Sequence, residues 1–558
     1  MPNTNSQRTG GQVLVEELKR HGAALAFGVP GESFLAALDA FVDHPELRFI
    51  TCRQEGGAAM MAEAYGKLTN EPGICFVTRG PGATSASAGV HIAFQDSTPM
   101  ILFIGQVARG MLEREAFQEI DYRRMYGQLA KWVAQVDDPA RIPEFVSRAF
   151  YTATSGRPGP VVLALPEDVL SGPCTAPAAA PYRRVDEIYP GPTQMAFFAE
   201  LLASAKRPLV ILGGGGWTAV TGAAVAAFAE AQNLPIACGF RRQDYFDNNH
   251  PNYVGDVGIG INPKLAARVA ESDLLIALGP RLGEMTTGGY SLLDIPTPRQ
   301  PLVHIHRDPE ELGRVYQPVL AINASQHAFA EAAAQLPAVK KRPWDDWTAA
   351  ARQDYLAHIQ PPTTPGELQM GEVMLWLRDA LPDDAIVTNG AGNYTVWVHR
   401  FHQYKRYGTQ LAPTAGSMGY GLPAAVAAKA VYPKRTVVCF AGDGCYLMHG
   451  QELATAMSYG LNIVVIVVNN NMYGTIRMHQ ERNYPGRVSG TDLTNPDFAA
   501  YARAFGAHGE TVRRSEEFPT AFERALAAGK PALLELLIDP EVITPRESLS
   551  SIREKAQG

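Results

Sequence analysis

Two short stretches of this sequence carry residue types that could hold a cation and a phosphate ester together. Gly442-Asp443-Gly444 closes one apolar run (TVVCFA), and Asn469-Asn470-Asn471 closes the next (IVVIVV). They are about one strand–helix–strand crossover apart, so in a parallel sheet both stand at the carboxyl edge, where open α/β sheets bind ligands. A carboxylate and an amide there form a pair of hard oxygens. Such a pair suits Mg²⁺, which binds through one or two protein groups and completes its shell with phosphate oxygens. The flanking glycines let backbone N–H groups approach a diphosphate, and Gly444 and Cys445 open the next helix with N–H groups directed at it. An earlier run ends in Asn389-Gly390-Ala391-Gly392-Asn393, a second glycine turn at the same edge.

Other residues leave two readings open. Glu55, where RFITC gives way to a helical pattern, could handle a proton or merely compensate a helix dipole. Met418, among glycines in APTAGSMGYGLPAA, could shape a cofactor or fill the core. Lys131 could attract a carboxylate or stand solvated. Gly214-x-Gly216-x-x-Ala219 follows the strand pattern LVIL and fits a dinucleotide fingerprint, but LPIACG ends without the acidic residue that a ribose contact needs.

The elements that must position these residues alternate strand and helix three times over. That pattern predicts α/β architecture with three doubly wound parallel-sheet domains, over residues 1–175, 190–338 and 362–548. Pro/Ala-rich and Pro/charge-rich linkers separate them. With 558 residues, 46% hydrophobic and 19% charged, the chain has core material for about three domains. The net charge of −7 and the lack of a basic block argue against nucleic acid. No apolar run reaches the ~18 residues of a membrane span. The start, MPNTNSQRTGG, lacks the pattern of a secretory leader, and the six cysteines are scattered with no C-x-x-C pair. A cytoplasmic protein with buried thiols is the expectation.

The stretches around Glu55 (R-x-E-x-x-A-x-x-M-A-x-x-Y-G), Met418, Asp443 and Asn470 together resemble the acetolactate synthase-like group of thiamine diphosphate enzymes, over nearly the whole chain. The resemblance implies N-terminal pyrimidine, central and C-terminal diphosphate domains. It implies Mg²⁺ held by Asp443, Asn470 and the carbonyl of Met472, with Gly390, Ala391, Gly392, Asn393, Gly442, Gly444, Cys445, Tyr473 and Gly474 around the cofactor. Met418 becomes a wedge that bends thiamine diphosphate into a V, with Gly416 beside the aminopyrimidine. Glu55 becomes the partner of the aminopyrimidine N1′ that promotes loss of the C2 proton. Phe117, Gln118 and Lys131 would line the substrate entrance.

The implied reaction is decarboxylation of a 2-oxo acid with ligation of the enamine to an acceptor carbonyl. Active sites would be shared between subunits of a homodimer or homotetramer. Relatives carry methionine and tryptophan where this chain has Thr475 and His479, which makes the substrate pocket more polar. They also carry an acidic residue where this chain has His306, so FAD in the central domain is possible rather than implied. Alternatives are a lyase or decarboxylase releasing aldehyde, a pyruvate oxidase-like enzyme, and a silent regulatory subunit.

Overall fold

The computed structural model describes residues 8–558. Residues 1–7, where the sequence shows no leader pattern, lie outside the described residues. The chain builds three six-stranded sheets in which every pairing is parallel, as the alternating pattern predicts. The first holds β1 (Leu25–Gly28), β2 (Arg48–Thr51), β3 (Gly73–Val77), β4 (Met100–Gln106), β5 (Trp132–Gln135) and β6 (Pro160–Pro166). The central sheet holds β7 (Pro208–Leu212), β8 (Ile236–Cys238), β9 (Tyr253–Asp256), β10 (Leu274–Leu278), β11 (Leu302–His306) and β12 (Leu320–Asn323). The third holds β13 (Ile386–Asn389), β14 (Gln410–Leu411), β15 (Val437–Gly442), β16 (Val464–Asn469), β17 (His508–Val512) and β18 (Ala532–Leu537).

The first and third sheets share one strand order, β2-β1-β3-β4-β6-β5 and β14-β13-β15-β16-β18-β17. The central order, β12-β11-β10-β7-β8-β9, is that of a complete six-stranded dinucleotide-binding sheet read from its far edge. Inner strands read as continuous Val/Ile/Leu runs because helices cover both faces. β4, β6, β7 and β10 are buried at every position.

Packing divides the chain differently from the linkers. One compact unit joins residues 1–185 with 426–433 and 449–461; the other takes the remainder. Residues 449–461, a few positions past Gly442-Asp443-Gly444, are thereby built into the first unit. All six cysteines are buried and free, and among the described residues no helix is long and apolar enough to cross a membrane.

Candidate functional site

In the second unit, a cavity of about 260 Å³ opens at the carboxyl edge of the third sheet. β15 delivers Asp443 to it, and β16, paired in register with β15 as far as Gly442 and Val468, delivers Asn470. The three asparagines divide their work. Asn469 is buried and donates to Glu535 (2.8 Å), Asn470 lines the cavity, and Asn471 takes a left-handed φ of 56° that turns the chain away. The Met472 carbonyl accepts from the Gly474 N–H (2.9 Å), which leaves it a second lone pair. Tyr473 and Gly474 complete that wall.

Asp443 accepts the Gly444 N–H at 2.9 Å and the Asn495 amide at 2.8 Å. Burial raises its pKa, and those two hydrogen bonds with the N–H groups of Asn471 and Met472 only partly oppose the rise. Among the described residues, no lysine, arginine or histidine lines the cavity. A diphosphate placed here beside the Asp443 carboxylate would therefore need a cation from outside the protein. One carboxylate, one amide and one carbonyl are the hard-oxygen donors that Mg²⁺ takes when phosphates fill the rest of its shell. Among the described residues there is no cluster of three or more His, Cys, Asp or Glu suited to a metal such as zinc.

The opposite wall comes from Ala391, Gly392 and Asn393 after β13, and from Gly416 and Met418. Gly416 has φ 67°, and Met418 packs half-buried on the domain core while facing the cavity. Gly390 stands back: its N–H donates to the Tyr394 hydroxyl (3.0 Å), so it is not a free donor toward a ligand. Cys445 lines the cavity, but the helix it belongs to, Asp443–Tyr446, is only four residues long. Thr475 also lines it and donates to Asn393 (2.9 Å). His479, one turn further on, is exposed and not part of the lining.

In the first unit, Glu55 is the first residue of the Glu55–Thr69 helix, which Gln54 caps by accepting from the Gly57 N–H (2.9 Å). Its carboxylate lies over the start of the Gly80–Asp96 helix, where Oε1 would be 3.3 Å from a Cβ on Gly82. The same turn receives the Phe117-Gln118 loop. The Gly80 N–H donates to the Gln118 carbonyl (2.9 Å), Gln118 has φ 66°, and Phe117 is 75% exposed. Glu55, Gln118 and the glycine turn thus share one sheet edge. Lys131 does not join them. Its ammonium donates to the carbonyls of Thr152 and Ser155 (2.6 and 2.7 Å), which end the Ile142–Thr154 helix. A lysine bound there neutralises a helix C-terminus, so its ammonium is held away from the Glu55 turn.

The central glycine turn is closed by its own domain. Trp217 Nε1, the Tyr245 hydroxyl and Gln326 Nε2 donate to the carbonyls of Gly213, Gly214 and Gly215 (2.7, 2.8 and 3.0 Å). A Cβ on Gly214 would come 2.1 Å from the Gly279 carbonyl, and one on Gly216 2.3 Å from the Arg307 guanidinium. Internal packing thus accounts for these glycines.

Asn495, Tyr394 and Glu452 carry geometry that the sequence did not flag. Asn495 reads as an Asn-Pro turn, Tyr394 as an ordinary helix residue, and Glu452 as a solvated charge.

Comparison with known proteins bears on all three domains. Residues 8–125, 195–333 and 390–536 match the N-terminal TPP-binding, central and C-terminal TPP-binding domain models of the thiamine pyrophosphate enzymes. The chain is 34% identical over 547 residues to an acetolactate synthase large subunit of Parasynechococcus marenigrum, covering 95% of this chain and 87% of that one. It is 31% identical over 563 residues to the acetolactate synthase isozyme 2 large subunit of Escherichia coli, covering 98% and 99%. A Corynebacterium glutamicum acetolactate synthase large subunit is 30% identical, with coverage of 98% and 90%.

Proposed function

Because the chain belongs to the thiamine pyrophosphate enzymes, similar along its length to acetolactate synthase large subunits, we propose that it decarboxylates a 2-oxo acid and ligates the remaining acyl carbon to an acceptor carbonyl. The bond to the carboxylate breaks and CO₂ leaves. A new C–C bond forms to the acceptor carbon, and the acceptor oxygen gains a proton. Thiamine diphosphate, when bound, supplies the carbanion chemistry.

The observation that carries this reading is the cavity of the third domain, with one buried carboxylate, an adjacent amide oxygen and no basic side chain. That chemistry selects a diphosphate accompanied by a divalent cation. Asp443, Asn470 and the Met472 carbonyl would hold Mg²⁺, and backbone groups at Ala391–Asn393 and Gly442–Cys445 would bind the phosphates. Met418, on the cavity wall, would support the cofactor from below. Glu55 would hydrogen-bond N1′ of the aminopyrimidine and share a proton with it. Gln118 and Thr475 orient substrate, and the exposed Phe117 screens the entrance.

We further place the enzyme in the cytoplasm as a homodimer or homotetramer, whose sites pair the Glu55 half of one subunit with the Asp443 half of another. FAD in the central domain has no part in the reaction; flavin bands in the purified protein would add it as a bound group.

Glu55→Gln tests the reading. Folding and cofactor affinity should persist, while H/D exchange at cofactor C2 slows on the order of 10²–10³-fold. Unchanged exchange would remove Glu55 from this role. A panel of 2-oxo acids, assayed for CO₂ and ligated product, separates ligation from aldehyde release.

A further inference from the structure

A buried carboxylate behind the Glu55 turn has no part in the reaction as written. Glu452 is fully buried and accepts the backbone N–H groups of Arg53 (3.1 Å) and Gln54 (3.0 Å), together with the Thr455 hydroxyl (2.6 Å). Both N–H groups lie just upstream of Glu55, on the two residues before it. The space around them is fully taken. A Cβ on Gly57 would come 2.9 Å from Glu452 Oε1, and one on Gly56 would come 2.7 Å from Gln54 Oε1 and 3.2 Å from His449 Nε2. The cap is therefore doubled. Gln54 accepts from the Gly57 N–H, His449 Nε2 lies 3.2 Å from that same Gln54 oxygen, and Glu452 holds the backbone one residue upstream.

A buried carboxylate is costly, and burial raises the pKa of Glu452 against the hydrogen bonds that lower it. Facing a helix N-terminus with several donors is the setting that best offsets such a cost. Capping alone needs less, because the Gln54 side chain already caps this helix. What the extra carboxylate adds is a fixed direction for the backbone that carries Glu55. Proton handling at a cofactor tolerates only about 0.5 Å of displacement.

We propose that Glu452 is a positioning residue for Glu55, holding the Arg53–Gln54 peptide units so that the Glu55 carboxylate meets the cofactor in one orientation. This rests on the role given to Glu55 above.

The test compares Glu452→Ala and Glu452→Gln in the full-length protein with two readouts. The first is backbone amide hydrogen exchange over residues 53–57 without cofactor. The second is C2 H/D exchange of bound thiamine diphosphate with Mg²⁺. In Glu452→Ala, amide exchange should rise at least about 10-fold and C2 exchange fall about 10-fold or more, with cofactor Kd within about 3-fold. Glu452→Gln keeps one accepting oxygen and should recover much of both.

Faster amide exchange with unchanged C2 exchange would overturn the proposal, since the carboxylate would then only cap the helix. Unchanged amide exchange would overturn it as well. If Glu452→Ala does not fold, Glu452→Gln and Gln54→Ala carry the same two readouts. Failure of Glu55→Gln to slow C2 exchange would instead sink the function of Glu55 and leave the amide result standing, so the two failures are distinguishable.

Discussion

The central and C-terminal domains each place a glycine-rich turn where the strand order of the sheet reverses, between β7 and β10 in one and between β13 and β15 in the other. From sequence the two turns look alike; in space they do opposite things. In the central turn every carbonyl from Gly213 to Gly215 is taken by a side chain of the same domain, and buried Trp217 stacks on Tyr245 at 4.5 Å. The C-terminal turn also packs closely, with a Cβ on Gly444 2.5 Å from the Tyr473 ring, yet it leaves a cavity with an uncompensated carboxylate facing it. Glycine permits close approach, and what approaches depends on the surrounding side chains. One turn approaches its own protein; the other is shaped for something brought from outside.

The largest effect should come from the open turn. Asp443→Ala removes the one carboxylate that lines the cavity among the described residues. Residues that merely orient a metal ligand are worth 10–100-fold in metal affinity, so loss of a ligand should cost on the order of 100-fold or more in Mg²⁺-dependent cofactor affinity. Calorimetric titration with thiamine diphosphate at fixed Mg²⁺ measures it. An affinity within about 3-fold of the unaltered protein would erase the distinction between the two turns.

How much of this was legible in the sequence follows from what each signal encodes. The three sheets were readable because apolar runs closed by glycine or asparagine and spaced by helical patterns have few other solutions. Asp443, Asn470, Met418 and Thr475 were readable because each stands at or just beyond a strand or turn, where backbone direction fixes what the residue faces. Lys131 was not, since nothing in its neighbourhood announces that the Ile142–Thr154 helix will end beneath its ammonium. Asn495 was also invisible. It reaches Asp443, Asn469 and Asn471 across a long loop (2.8, 3.1 and 3.2 Å), and no local pattern encodes a partner that distant. Nor could the sequence separate the two glycine turns, because the difference lies in Trp217, Tyr245, Gln326 and Arg307, which come from four places in the chain.

The closed turn should answer to a change in stability rather than in binding. Gly214 has φ 78°, a conformation that costs a residue with a Cβ roughly 1–2 kcal/mol, and that Cβ would also press on the Gly279 carbonyl at 2.1 Å. Gly214→Ala should therefore cost about 2–4 kcal/mol in total, a fall of about 5–10 °C in the apparent Tm of the central domain. Thiamine diphosphate affinity should stay within about 3-fold. A stable Gly214→Ala protein would mean that the turn is loosely packed, and parity with Asp443→Ala in lost affinity would mean that it serves the cofactor.

The smallest effect concerns two buried aspartates, one per domain, both with pKa raised by burial. Asp244 accepts the N–H groups of Gly408, Thr409 and Gln410, all from the protein, while Asp443 faces the cavity. A carboxyl whose folded pKa lies above its unfolded value of about 4 favours the fold at low pH; that contribution is lost as pH rises through the folded pKa. Mg²⁺ held at Asp443, as proposed, would relieve the penalty, whereas no added group faces Asp244. The gain in Tm on adding Mg²⁺ and thiamine diphosphate should thus grow by a few degrees as pH rises from the ordinary carboxylate range through the raised pKa of Asp443, because the cation no longer displaces a proton. The Asp244 contribution is common to loaded and unloaded protein and cancels from the difference. In Asp443→Ala the gain should be small and nearly flat with pH; a gain that rises with pH as steeply as in the unaltered protein would place the titrating group elsewhere than at Asp443.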